Sequence, residues 1–116
     1  MIKKQPKYRN RTVMAAGQRF DSAAESRRYR SLKLLQAAGD ITALERQVPF
    51  TLIPKLKRAD GKSELPVTYV ADFVYMRDGA RVVEDVKSAP TRKLPAYIIK
   101  RKLMLHVHGI TLLETQ

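Results

Sequence analysis

The sequence predicts an α/β fold in which a mixed central sheet is flanked by helices. Three observations support this prediction: a helical pattern follows Phe20, strand-like stretches fill the middle of the chain, and a strand–helix–strand pattern closes it. The predicted order of elements is αβββαβ. At 116 residues, 44% of them hydrophobic, the chain is long enough to bury one core.

The first helix is predicted over residues 22–38. Asp21 or Ser22 supplies the N-cap, Glu25 lies in the first turns, and Gly39 follows the end as a stop signal. Residues 1–19 precede it with many basic and few apolar side chains, so we expect a basic N-terminal arm there. Residues 20–116 are predicted to form the single folded domain.

The middle of the chain is predicted to be β-structure. Two strands are expected at residues 42–48 and 50–54, followed by a basic, glycine-containing hairpin tip at residues 55–64. Residues 67–76 and 81–87 are rich in β-branched residues, and the tight connection between them predicts an antiparallel hairpin.

The last part of the chain predicts a helix and a strand. The helix opens at Pro95 and closes at Gly109, and residues 110–114 form the strand. Strand, helix and strand at this spacing favour a right-handed crossover to a parallel partner.

Charge indicates the class of partner. The chain has 23 Lys and Arg against 11 Asp and Glu, which leaves a formal net charge of +12. Such a surface attracts polyanions, nucleic acid above all. A basic structural protein and a peripheral membrane binder are the alternatives. No apolar run is long enough for a signal peptide or a membrane span, so we expect a cytoplasmic protein.

Asp72 lies inside a stretch that otherwise predicts a buried central strand. A carboxylate there is costly to desolvate, and proteins keep one when it is paired, hydrogen-bonded or bound to a metal. The alternative is a strand that alternates, with Asp72 facing solvent. Because the chain has no Cys, any metal must be held by oxygen or imidazole ligands, which favours Mg²⁺, with Mn²⁺ possible.

Asp85 and Lys87 are two residues apart on the next strand and therefore share a face, whereas Glu84 points to the other side. The hairpin brings Asp72 nearly opposite position 84 or 85. A divalent cation between the two carboxylates removes their repulsion, and Lys87 is placed to orient or deprotonate a water attacking a phosphodiester. A solvated Asp–Lys ion pair is the alternative.

Glu25 is the fourth candidate, because it shares a helix stripe with Leu32, which marks the side facing the core. A glutamate on that side lies near the sheet and within reach of a metal. The alternative is an acid that complements the dipole at the helix N-terminus.

Three segments resemble the PD-(D/E)XK nuclease superfamily, and within it a phage-encoded family related to Holliday junction resolvases. They are residues 20–29 (FDSAAESRRY), 69–73 (YVADF) and 83–87 (VEDVK), and the resemblance extends from residue 7 to residue 114. It implies the restriction-endonuclease-like αβββαβ core. The usual proline before the first strand acid is Ala71 here.

The resemblance also implies roles for individual residues. Asp72 and Asp85 would ligate Mg²⁺ with the Val86 carbonyl, Lys87 would be the catalytic lysine, and Glu25 the helix acid that completes the set. The basic residues expected to contact DNA phosphates are Lys7, Arg9, Arg11, Arg27, Arg28, Arg92, Lys93, Lys100 and Arg101.

The predicted function is Mg²⁺-dependent, structure-selective DNA cleavage, as in a Holliday junction resolvase. Two symmetric nicks in a four-way junction predict a homodimer, and a phage origin would place it in the host cytoplasm. Two alternatives stay open. One is a nicking or transposase-type endonuclease with the same site, and the other is a non-catalytic basic module that binds nucleic acid.

Overall fold

The computed structural model of the protein describes residues 13–15, 18–20 and 22–116. The helices are α1 (Ala23–Ala37), α2 (Ala89–Arg92) and α3 (Pro95–His108). The strands are β1 (Val13–Ala15), β2 (Gln18–Phe20), β3 (Thr42–Ile53), β4 (Leu56–Lys57), β5 (Ser63–Glu64), β6 (Val67–Arg77), β7 (Ala80–Val86) and β8 (Leu113–Thr115).

The central sheet has four strands in the order β3-β6-β7-β8. The first two pairings are antiparallel, and β7 and β8 are parallel, joined by a crossover that contains α2 and α3. The predicted mixed α/β fold with flanking helices is therefore confirmed. Within the described residues, no helix is both long and apolar enough to cross a membrane.

The start of α1 follows from a side-chain cap. Ser22 is the N-cap, and its Oγ accepts a hydrogen bond from the backbone N–H of Glu25 at 3.1 Å. The other predicted cap, Asp21, lies outside the described residues. After the helix, Gly39 takes a φ of 85°, which suits the chain reversal into β3.

The two strands predicted at residues 42–48 and 50–54 are one continuous strand, β3, so that prediction is wrong. Pro49 does not interrupt it, because β3 is at the edge of the sheet, where a residue without an N–H is tolerated. The final strand is also shorter than predicted. Ile110 donates its N–H to Met104 at the end of α3, and pairing with β7 begins only at Leu113.

The two hairpins agree with the sequence prediction. Residues 55–64 form a hairpin tip in which β4 pairs with β5. Between β6 and β7, Asp78 and Gly79 both have positive φ, as a two-residue type I′ turn requires. The register of this second hairpin runs from Arg77 opposite Ala80 to Phe73 opposite Glu84.

The core consists of two clusters, one on each face of the sheet. The cluster beneath α1 contains Leu32, Ile41, Phe73, Tyr75 and Val86. The cluster beneath α3 contains Phe50, Leu52, Tyr69, Ala71, Val74, Val83, Tyr97, Met104 and Leu112. Because β6 contributes to both, its middle residues are covered on both sides.

Candidate active site

Three acids predicted from the sequence are buried in the structure. Asp72 is 5% exposed, Asp85 is fully buried, and Glu25 is 2% exposed. The alternative prediction, that the strand alternates and Asp72 faces solvent, is therefore wrong. Continued by one residue, the β6–β7 register sets Asp72 opposite Asp85, so the hairpin brings these two carboxylates together.

Asp72 is held where the two strands stop pairing. Its Oδ2 accepts a 2.8 Å hydrogen bond from the backbone N–H of Val86, and Gln47 Nε2 lies 3.5 Å from its Oδ1. The Val86 N–H thus bonds to a side chain of β6 in place of a backbone carbonyl. This contact fixes the carboxylate at the end of the hairpin ladder.

Asp85 has no well-formed hydrogen bond to its carboxylate among the described residues. Neither of its oxygens accepts a hydrogen bond of good geometry from the described residues, although Lys87 Nζ lies 3.1 Å from Oδ1. The buried hydroxyl of Tyr69 also approaches Asp85, but without the geometry of a well-formed hydrogen bond. Such unsatisfied groups are uncommon in protein interiors and call for a polar occupant.

The charges of Asp72, Asp85 and Lys87 influence one another. Burial raises the pKa of Asp72 to about 8, and contact with Asp85 adds to the effect, while Lys87 opposes it. For Lys87, burial alone lowers the pKa, but attraction to Asp72 and Asp85 outweighs it and the pKa is raised. Lys87 is therefore an ammonium ion, 3.9 Å from Asp72 Oδ2, and not a ready general base.

Glu25 reaches the site from the first turn of α1. Its Oε1 accepts a 2.8 Å hydrogen bond from Gln47 Nε2 and lies 3.7 Å from an Arg46 nitrogen. Sequence reasoning missed Gln47. No sequence motif marks it, because its contact with the acids depends on a φ of 52° within β3, which a sequence does not display.

Glu84 faces the opposite side of the sheet, as predicted. Arg28 donates two hydrogen bonds to it, at 2.7 and 2.9 Å, and the hydroxyls of Tyr75 and Thr115 donate two more. The hydrogen bond to Glu84 raises the pKa of Arg28. Arg28 is thus engaged in a structural ion pair, and its predicted contact with DNA stays a prediction.

A cleft of about 710 Å³ opens over the acids and contains several polar side chains. Its lining includes Glu25, Tyr69, Asp72 and Lys87 from the site, together with Arg27, Thr91 and Lys100. Asp85 lies beneath this surface. Of the other predicted phosphate contacts, Lys93 is exposed, Arg92 is half-buried, and Arg101 lies 3.7 Å from Glu114. Lys7, Arg9 and Arg11 lie outside the described residues.

The structure brings together two carboxylates, which are the type of ligand that a hard cation prefers. Among residues 13–15, 18–20 and 22–116, no three His, Asp or Glu side chains are close enough to form a complete metal cluster. Mg²⁺ does not require one, since it is commonly bound by one or two carboxylates and keeps several waters. The adjacent carboxylates of Asp72 and Asp85 suit that mode of binding.

One comparison with known proteins gave a match. A family model described as a protein of unknown function, DUF1064, matches residues 5–111. No curated protein and no solved structure matches the chain.

Proposed function

Because the chain belongs to the DUF1064 family, whose description assigns no function, we propose an activity from the site itself: Mg²⁺-dependent endonucleolytic cleavage of DNA. The observation that carries the proposal is the Asp85 carboxylate, fully buried beside Asp72 with neither oxygen accepting a well-formed hydrogen bond. The Lys87 ammonium offsets one of the two negative charges of this pair, and a divalent cation would offset the repulsion that remains.

The residues fit a bound Mg²⁺ ion. Asp72 and Asp85 would hold it with the Val86 carbonyl, and Glu25 would complete the set from α1. When bound, the ion supplies a Lewis acid that neutralises phosphate charge and lowers the pKa of a water. A bound cation would explain why neither oxygen of Asp85 accepts a well-formed hydrogen bond from the described residues.

Lys87 has a defined part in this proposal. Its ammonium group lies at the edge of the acid pair and is 29% exposed towards the cleft. A positive charge in that place stabilises the negative charge that develops on the scissile phosphate. It also orients a water by hydrogen bonding, while its raised pKa disfavours a role in removing the proton.

The chain order supports the restriction-endonuclease-like form of the fold. A helix, an antiparallel β3-β6-β7 meander, a helix and a parallel β8 follow the αβββαβ order of the PD-(D/E)XK superfamily. DNA as substrate is supported by the net charge of +12 and by Arg27 and Lys100 in the cleft lining.

Within that superfamily we propose a structure-selective enzyme of the Holliday junction resolvase type, acting as a homodimer. The described residues form a small domain without a separate element for reading a base sequence, which favours recognition of DNA shape. Paired nicks in a four-way junction need two active sites related by a twofold axis, which a homodimer supplies.

Reaction and substrate are tested by incubating the purified protein with a four-way junction, a linear duplex and single-stranded DNA, with and without Mg²⁺. We expect cleavage only with the metal, and paired nicks in the junction in preference to the other substrates. Equal cutting of linear duplex would favour the nicking or transposase-type enzyme. DNA binding with neither cleavage nor a metal response would favour the non-catalytic module.

Adjacent acids provide a matched pair of variants. Asp85→Asn keeps the shape of the side chain and removes the charge, so we expect loss of cleavage and of the Mg²⁺-induced rise in Tm. Glu84→Gln changes an equally buried acid that faces away from the site, and we expect a lower Tm with the metal response retained. Wild-type cleavage by Asp85→Asn would overturn the proposal.

A further inference from the structure

Gln47 connects two acids of the candidate site. Its Nε2 donates a 2.8 Å hydrogen bond to Glu25 Oε1 and lies 3.5 Å from Asp72 Oδ1. A primary amide carries two N–H donors, so one side chain can address both carboxylates. Gln47 therefore joins the acid of α1 to the acid of β6.

The backbone of β3 adopts an unfavourable conformation to place this amide. Gln47 has a φ of 52°, which residues with a Cβ rarely adopt, particularly inside a strand. The register with β6 is the same on both sides, with Arg46 opposite Phe73 and Val48 opposite Ala71. At Gln47 the strand is thus strained without a shift of its register, and strain of this kind is often found at functional sites.

The neighbours of Gln47 have different environments. The Arg46 guanidinium packs 3.9 Å from the centre of the Phe20 ring, and Val48 packs against the core cluster beneath α3. Gln47 itself is exposed apart from the contacts of its amide with the acids. Packing of the core therefore does not account for a glutamine at this position.

We infer that Gln47 is a positioning residue whose neutral amide fixes the carboxylates of Glu25 and Asp72 for the cation. This inference rests on the proposed function. Lysine or arginine at this position would compete with a cation for the acids, and a carboxylate would add repulsion. An amide orders the two acids without changing the charge of the site.

Gln47→Gly separates this role from a structural one. Glycine adopts a φ of 52° without strain, so we expect the metal-free protein to have an equal or higher Tm. We also expect Mg²⁺ and Mn²⁺ affinity, measured by calorimetry, to fall by about 10- to 100-fold. The kcat should fall with it, while the KM for DNA stays near the wild-type value.

The same strand offers a control. Ala43 also has a positive φ, of 53°, and is exposed. Ala43→Gly should raise the Tm and leave metal affinity and cleavage unchanged. Gln47→Asn is a second variant. Asparagine tolerates positive φ, so the protein should fold, but its side chain is one methylene shorter, so metal affinity should be lower than in the wild-type protein.

Two results would overturn the inference in distinguishable ways. If the wild-type protein binds the metal and cleaves DNA, and both Gln47 variants match its affinity and kcat, the positioning role is wrong and the nuclease proposal stands. If the wild-type protein neither binds the metal nor cleaves, the proposed function fails and the role of Gln47 fails with it.

Discussion

The backbone N–H of Val86 donates a 2.8 Å hydrogen bond to Oδ2 of Asp72. One strand of the hairpin thereby holds the acid of the other at the point where backbone pairing ends. The same contact keeps Asp72 beside Asp85, so the position of the pair depends on backbone structure and not on flexible side chains. Because the two carboxylates are held close together in the folded state, protonation of Asp72 should change the free energy of unfolding.

The raised pKa of Asp72, about 8, predicts that the metal-free protein loses stability as pH rises. Between the ordinary value of 3.8 and the folded value, the folded state binds more protons than the unfolded state. The free energy of unfolding must then fall with increasing pH across that window. We expect the Tm of the metal-free protein to decrease between about pH 5 and about pH 8.

Asp72→Asn removes the titrating group and should flatten this dependence, and Asp40→Asn, at an exposed acid, should not. If the proposed site is right, Mg²⁺ should raise the Tm of the wild-type protein more at the higher pH, where the Asp72 carboxylate is ionised. A pH profile of Asp72→Asn identical to that of the wild-type protein would show that Asp72 is already charged at low pH.

Lys87 is predicted to matter for turnover more than for metal binding. Lys87→Ala removes the cation nearest the acid pair, so metal affinity should be kept or increased while kcat falls by about 100-fold or more. Lys87→Arg keeps the positive charge but changes its geometry. Compared with Lys87→Ala, it should bring the Tm closer to the wild-type value than it brings kcat. Single-turnover cleavage beside calorimetric metal titration measures both quantities, and a kcat within twofold of wild type in Lys87→Ala would contradict the assignment.

Arg28 is predicted to stabilise the fold. Arg28→Ala leaves Glu84 buried without its cation, which should lower the free energy of unfolding by roughly 3 kcal/mol in urea denaturation. Adding Glu84→Gln to that variant should recover part of the loss, because the unpaired charge is removed. Arg27, exposed on the same helix, serves as the control: Arg27→Ala should weaken DNA binding with an unchanged urea midpoint. A wild-type midpoint for Arg28→Ala would show that the ion pair contributes nothing.

Part of this site could be predicted from the sequence, because a strand repeats every two residues. That period separates Glu84 from Asp85, and the Asp78-Gly79 turn places Asp72 near the second of these. The burial of Asp72 likewise followed from the apolar residues around it. Local pattern was sufficient for these features.

Other features depended on long-range structure. The continuity of β3 through Pro49 depends on its being an edge strand, which only the assembled sheet determines. The role of Gln47 depends on a backbone angle, and that of Arg28 on a partner far away in the chain. Neither role has a local sequence signal. The acids could therefore be predicted from the sequence, whereas the supporting roles of Gln47 and Arg28 could not.

Lys100 and Lys102 provide a last prediction, about how DNA enters the cleft. Both are on α3, but Lys100 is in the cleft lining, whereas Lys102 is exposed and is not part of that lining. Each alanine variant removes one positive charge, so any difference between them reports position and not net charge. Lys100→Ala should lower the slope of log Kd against log salt concentration by about 1, which corresponds to one ion fewer released on binding. Lys102→Ala should lower this slope by less. Fluorescence anisotropy with labelled junction DNA over a salt series measures both slopes, and equal slopes would mean that DNA does not follow this cleft.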